Sequence, residues 1–236
     1  MNLFYQGNLS ETSQNIIFDK EESRHIFKAL RHKVGDTLYI TNGLGMLFTA
    51  ELVEVSQKQC LAVTTIAEKK APLPYYLHMA VAPTKNNDRF EWFLEKATEI
   101  GISEITPILC DRSERKVIKV DRFEKIIESA MKQSLKMYKP KLNELTSFSD
   151  FIKLQSNFNG IKCIAHCEDS EKELLKNLVQ PTSNNIILIG PEGDFSYKEI
   201  ELAQKNDFIP ISLGESRLRT ETAAISACHT VYCNNL

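Results

Sequence analysis

Apolar residues follow two different periods along this chain. In the first part they alternate. Thr37–Thr41 (TLYIT), Leu47–Val55 (LFTAELVEV) and Gln59–Ile66, which holds CLAVTTI, are rich in β-branched residues and read as half-buried strands. Asn42-Gly43 and Gly45 supply turn chemistry between the first two. Upstream, in EESRHIFKALRHKVGD, Ile26, Leu30 and Phe27 form the apolar stripe of a short helix, with Arg24, His25, Lys28, Arg31, His32 and Lys33 on the remainder. Small antiparallel strands with one helix predict a compact β-barrel. Ala67–Pro74 (AEKKAPLP) reads as a linker.

From Tyr75 the pattern switches to strands alternating with helices. Tyr76–Ala82 is a buried-strand candidate. Phe90, Phe93, Leu94, Ala97 and Ile100 then recur at helical spacing, with Asn86 or Asn87 as cap and Gly101 at the exit. Further strands are expected at Glu104–Leu109, Leu142–Thr146, Ile161–His166, Ile186–Ile189 and Phe208–Leu213. Helices are expected at Asp121–Met137 (stopped by Pro140), Asp150–Gln155, Glu171–Val179, Tyr197–Gln204 and from Thr220 onward. Such alternation predicts an α/β domain with a mainly parallel sheet covered on both faces.

Composition adds little to this picture, and charge adds one feature. No apolar run is long enough for a membrane span, and MNLFYQGNLSETSQ lacks the pattern of a signal peptide. Six scattered cysteines read as reduced thiols of a cytoplasmic protein. Net charge is −2, yet between Arg112 and Lys141 ten Lys/Arg face only four Asp/Glu. That block is either a local polyanion footprint or a solvated helix face.

Two strands break at a glycine and open a polar loop. GPEGD at 190–194 is neither a phosphate-binding P-loop nor a dinucleotide fingerprint. Its glycines leave backbone N–H and C=O groups open to an adenine or ribose edge, and an ordinary strand-to-helix turn is the alternative. In LGESRLRTETAA at 213–224, Thr220 or Thr222 can cap a helix with Glu221 in its first turn. Arg217 and Arg219 suit a phosphate or a developing negative charge, or form an incidental surface ion pair. CIAHC (Cys163, His166, Cys167) reads as a packed core strand rather than a metal site. His25 and His32 have no ligand partners at metal spacing. No metal is expected.

Several of these segments together resemble the RsmE family of 16S ribosomal RNA methyltransferases, in the SPOUT superfamily. The resemblance is carried by HIFKALRHKVGD at 25–36, KNNDRFEWFLEKATEIGISEITPI at 85–108, RSER at 112–115, KQSLKMYKP at 132–140, LIGPEGDFSYKEI at 188–200 and LGESRLRTETAA at 213–224. It implies a PUA-like RNA-binding β-barrel over residues 1–70 and a trefoil-knotted SPOUT methyltransferase domain over 75–236. It also implies a cytoplasmic homodimer that uses S-adenosylmethionine to methylate N3 of one uridine in 16S rRNA of the small ribosomal subunit.

Carried over by position, the donor site would comprise Leu188, Gly190, Pro191, Glu192, Gly193, Leu213, Gly214, Leu218, Arg219, Thr220 and Thr222. Catalytic candidates are Arg219, Glu221 and Glu192. RNA-facing candidates are Arg24, His25, Arg31, Lys85, Arg89, Arg112, Arg115, Lys132, Gln133 and Lys136. The chain departs from the family pattern at Asp194, where a second glycine is usual, and at Ser216-Arg217, where the first arginine is displaced by one position. Two alternatives are a SPOUT enzyme acting on tRNA or 23S rRNA, and a non-catalytic RNA-binding or assembly factor. The barrel with its RSER and KQS segments weighs against the first. The intact GPEG and LRTETA loops weigh against the second.

Overall fold

The computed structural model describes residues 2–236. The chain folds as two compact units, Met1–Pro72 with Met131–Lys139 and Leu73–Ala130 with Pro140–Leu236.

The first unit is a five-stranded sheet. Its elements are β1 (Leu3–Tyr5), β2 (Asn15–Ile17), α1 (Lys20–Arg24), β3 (Thr37–Thr41), β4 (Met46–Val55) and β5 (Cys60–Lys69), in spatial order β1-β3-β4-β5-β2. The alternation read from the sequence is that of the core: Leu38, Ile40, Met46, Phe48, Ala50, Leu52, Cys60 and Ala62 all point inward. Two edge strands escape the pattern because each is only three residues long, and β1 joins β3 in parallel rather than antiparallel sense. Strand β5 runs on through Lys69, so half of the expected linker is strand. After α1, capped by Asp19, the chain makes one turn of π-helix at His25–Ala29.

The segment 131–139, placed by the sequence in the second domain, groups with this first unit. Gly45 N–H donates to the Met137 carbonyl and Lys139 N–H to the Gly43 carbonyl, each at 2.9 Å. The Tyr138 hydroxyl donates to the Lys70 carbonyl at 2.9 Å. Only glycine fits at position 45. Its φ is +96°, and a Cβ there would lie 2.3 Å from the Tyr138 ring.

The second unit contains β6 (Tyr76–Val81), α2 (Asn87–Ile100), β7 (Glu104–Leu109), α3 (Val120–Gln133, its last three residues grouping with the first unit), β8 (Lys141–Leu142), β9 (Thr146–Ser147) and α4 (Phe148–Leu154). It continues with β10 (Ile161–Ala165), β11 (Glu173–Leu174), α5 (Leu175–Leu178), β12 (Asn184–Ile189), α6 (Tyr197–Gln204), β13 (Ile209–Ser212) and α7 (Thr220–Cys233). The sheet order is β11-β13-β10-β12-β6-β7-β8, parallel throughout, with β9 also alongside β7. Continuous apolar strands are explained by burial on both faces. Met79 and Val81 pack with Phe93, Ala97, Ala227 and Val231 on one side. Ala80, Ile186 and Leu188 pack with Phe151, Phe195 and Ile200 on the other.

Three expected elements differ. The Asp121–Met137 helix ends at Gln133, because Leu135 adopts φ +55° and the chain departs to the first unit. The Leu142–Thr146 strand is two separate two-residue strands. Glu171–Val179 is a short strand followed by a four-residue helix.

Candidate active site

In a parallel sheet with helices on both faces, ligands collect beyond the carboxyl ends of the strands. Here β13, β10 and β12 are direct neighbours, so three loops meet: the segment after Ala165, the GPEGD loop after Ile189 and the segment after Ser212. They enclose two adjoining cavities of about 630 and 280 Å³. The larger is walled by Arg112, Ala165–Glu168, Lys172, Gly193-Asp194 and Ile211–Leu218. The smaller is walled by Ala165, Cys167, Ile189–Glu192, Asp194 and Arg217–Thr220.

Local chemistry fixes each wall. In the GPEGD loop a Cβ on Gly190 would meet the Phe195 ring at 3.1 Å, and one on Gly193 would meet Arg112 Cβ at 3.2 Å. Helix α6 starts with a capping box: Ser196 Oγ accepts the Glu199 N–H, and Glu199 accepts the Ser196 N–H at 2.7 Å. The other Glu199 oxygen accepts the Asp111 N–H at 2.9 Å, which ties the loop after β7 to the same place. Helix α7 is anchored by Thr220 Oγ1, which donates to the Gly190 carbonyl at 3.1 Å. Arg219 occupies the position before that helix in extended conformation. Its side chain is exposed, and among the described residues its guanidinium makes no hydrogen bond or ion pair.

Asp194, the first departure from the family pattern, has a visible task. It adopts φ +62°, where Asp is better tolerated than most residues. Its carboxylate accepts the Cys167 N–H at 2.7 Å and the Phe195 N–H at 2.8 Å. The loops after β10 and β12 are thereby joined. Two substitutions should separate the effects. Asp194→Gly loses the tie but suits the backbone, whereas Asp194→Ala loses the tie and keeps the strain. The alanine variant should therefore be less stable than the glycine variant by about 1 kcal/mol in urea unfolding. Equal stabilities would show that the positive φ carries no cost.

Most expected donor-site residues line these cavities: Gly190, Pro191, Glu192, Gly193, Leu213, Gly214, Leu218, Arg219 and Thr220. Leu188 is fully buried in the core, and neither it nor Thr222 is part of the cavity walls. Glu221 also stands outside them. It is 7% exposed, with Oε1 3.8 Å from Arg89 Nε and Oε2 enclosed without a hydrogen-bond partner. Glu192 is exposed in the smaller cavity, and its Oε1 accepts the Lys85 N–H at 3.0 Å.

The RNA-facing candidates fall into two sets, one in each unit. In the second unit, Arg115 donates to the carbonyls of Thr84 and Lys85, and Arg112 to the Gly193 carbonyl. Lys85 Nζ pairs with Glu114 at 2.8 Å. These arginines brace the loops around GPEG, a role their basic context did not suggest. In the first unit, His25 and Lys132 both approach Glu22, at 3.0 and 3.4 Å. Arg24 and Arg31 are exposed, and Arg31 adopts φ +58°. Gln133 and Lys136 lie on the segment that packs with this unit.

The core-strand reading of CIAHC requires correction. Strand β10 stops at Ala165, so His166 and Cys167 belong to the loop and line the cavity, while Cys163 and Ile164 are core. The signal available in the sequence was positional: they follow a strand, as Gly190 and Leu213-Gly214 do. Burial and the nearby Lys172 hold His166 below the usual histidine pKa despite Asp194 and Glu168. Burial pushes the Cys110 and Cys163 thiols up, the latter to about 12, so neither is a ready nucleophile.

Comparison with known proteins gives a consistent picture. A family described as RNA methyltransferase domain matches residues 71–232, and one described as RNA methyltransferase PUA domain matches residues 18–65. Ribosomal RNA small subunit methyltransferase E of Buchnera aphidicola is 32% identical, over 91% of this chain and 88% of its own length. A crystal structure of a probable rRNA-methyltransferase from Porphyromonas gingivalis superposes with a TM-score of 0.91 at 36% identity, covering 100% of this chain and 98% of that one. A Legionella pneumophila structure assigned as a methyltransferase, with SAM bound, has a TM-score of 0.86 at 29% identity, covering 99% and 97%.

Proposed function

From the premise that this chain belongs to the RNA methyltransferase family, whose relatives include ribosomal RNA small subunit methyltransferase E, we propose that it methylates N3 of one uridine in 16S rRNA with S-adenosylmethionine as donor. The observation that carries the reading is the pair of cavities at the ends of β13, β10 and β12, walled by the GPEG and LRTET loops. The residues fit such a donor. The cavities are walled by the two glycines 190 and 193, by the cations Arg112, Lys172 and Arg217, and by His166, whose enclosed ring nitrogens have no partner among the described residues.

S-adenosylmethionine supplies an electrophilic methyl group when bound. The protein must bind it, place it in line with N3 and manage the N3 proton. Uridine N3 carries a proton near neutral pH and is a poor nucleophile until that proton leaves. Arg219, uncommitted at the cavity wall, is placed to stabilise negative charge developing on the uracil carbonyl oxygens. Glu192 shares that cavity and is the carboxylate suited to accept the proton; Glu221 serves Arg89 instead. On this reading the exposed Arg24 and Arg31 of the PUA domain, together with Lys132, Gln133 and Lys136, contact the RNA. The working species is a cytoplasmic homodimer, which sedimentation of the purified protein tests directly.

The deciding experiment incubates the protein with small ribosomal subunits, large subunits and tRNA in parallel, each with methyl-labelled donor, then digests the RNA to nucleosides. N3-methyluridine should appear at one position of 16S rRNA. Label in tRNA or 23S rRNA only, or in no RNA, would sink the proposal.

A further inference from the structure

Among the described residues, His166 is the one buried cavity side chain whose polar atoms have no hydrogen-bond partner. It is 8% exposed, and both ring nitrogens are enclosed without a hydrogen-bond partner among the described residues. Native proteins rarely tolerate this, because a buried donor or acceptor without a partner loses its bonds to water and gains nothing. The backbone beside it is fixed, since the next N–H, of Cys167, is held by Asp194. The residue therefore presents its side chain at a defined place on the cavity wall, across from the loop after β13.

We propose that His166 is a specificity-determining residue that recognises a ribose hydroxyl of the methyl donor. This deepens the donor-site reading and rests on it. Three chemical considerations select the ribose. First, the cavity already carries the cationic Arg112, Lys172 and Arg217 for a carboxylate, so a neutral ring is not needed there. Second, adenine presents a donor and an acceptor side by side, which suits a backbone N–H and C=O pair, whereas imidazole nitrogens diverge. Third, a neutral imidazole has one donor and one acceptor nitrogen, and a hydroxyl can answer either. Burial favours that neutral form.

The test is calorimetric binding of S-adenosylhomocysteine and its 2′,3′-dideoxy analogue to the full-length protein, His166→Phe and His166→Asn. Phenylalanine fills the ring volume without polar atoms, and asparagine keeps a donor and an acceptor. Wild type should bind the ribose ligand about tenfold more tightly than the dideoxy one. His166→Phe should lose about that factor for the ribose ligand only, and His166→Asn should regain part of it. In the wild type, nitrogen NMR of the His166 ring should shift with the ribose ligand and not with the analogue, which keeps the test independent of how well the variants fold. Equal preference in wild type and His166→Phe, or an unmoved ring resonance, overturns the inference while leaving the donor-site reading intact. Failure of wild type to bind either ligand overturns both.

Discussion

Arg219→Ala should lower methyl transfer to 16S rRNA by about 10²–10³-fold while donor affinity changes only a few-fold. The basis is its position. Arg219 is the residue before α7, and the anchoring of that helix is done by others: Thr220 holds the Gly190 carbonyl, and the Arg219 side chain makes no cap bond. Removing the guanidinium therefore leaves the helix start in place. It takes away a charge that faces the smaller cavity beside Gly190–Glu192. A group that acts mainly on charge developing during the reaction lowers kcat more than it raises the donor KM. Arg219→Lys should fall between wild type and alanine, since a point charge replaces a planar two-pronged donor. The measurement is single-turnover transfer to small subunits, with S-adenosylhomocysteine binding read separately. Unchanged turnover would remove Arg219 from the chemistry. Equal loss of binding and turnover would make it a donor-binding residue.

Acid should destabilise the protein well above the usual carboxylate range, by on the order of 3 kcal/mol between about pH 6.5 and pH 4, through His78. This residue sits inside the sheet, 2% exposed, with its ring edge-on to Phe151. Its Nε2 lies 2.7 Å from Thr106 Oγ1, which already accepts a bond from Asn143. The Thr106 hydroxyl is then free to donate, and the network suits a neutral ring accepting at Nε2. Burial lowers the His78 pKa to about 4, outweighing the nearby Glu104; Lys141 reinforces the lowering.

The sign follows from proton binding. Below pH 6.5 the unfolded chain takes up a proton at this site, and the folded one does so only near pH 4, so stability falls as pH drops through that window. Glu104 adds a second, lower window. Burial raises its pKa, but bonds from Asn143, Tyr76 and Lys141 and the neighbouring His78 overcome that and hold it at about 2. Its contribution is complete above about pH 4.5 and is lost as pH falls toward 2. His78→Gln should flatten the upper window and shrink the lower one without abolishing it, because Asn143, Tyr76 and Lys141 still hold Glu104 low. Urea unfolding at about pH 7 and about pH 5 reads the difference between wild type and variant. That difference also cancels the smaller, same-signed contribution of His166. Parallel pH profiles would exclude His78 as the source.

The legibility of this fold varied with the length of each signal. Helix α2 could be read nearly to the residue, from Asn86 accepting the Asp88 N–H to Gly101 with φ +135°. Strands β3, β4 and β12 were equally clear, because five or more residues of one pattern outweigh any local ambiguity. Two- and three-residue strands such as β1, β8 and β11 carry no period and are set by pairing with distant neighbours. The expected helix at Asp121–Met137 failed at its end for a similar reason. Met137 and the two residues after it are drawn to Gly45, Lys70 and Gly43, about 70 to 95 positions earlier in the chain. Arg112 and Arg115 were legible as basic residues, but not as braces, since their acceptors are backbone carbonyls that no composition reveals.

The sequence by itself determined the two kinds of architecture, the apolar faces, and the two glycine-opened loops that mark the site. It also determined the family resemblance, because GPEG and LRTETA are contiguous and each motif's chemistry lies within a few residues. Tertiary structure alone decided which loops become neighbours. Strand order β13-β10-β12 is not chain order, so the meeting of His166, Asp194 and Leu213–Arg219 depends on hydrogen bonds between strands up to 46 residues apart in register, such as Cys163 with Ile209. A strand's apolar pattern fixes which face it buries but not which strand lies beside it, and so the third wall of the site, the loop after β10, became visible only in the fold.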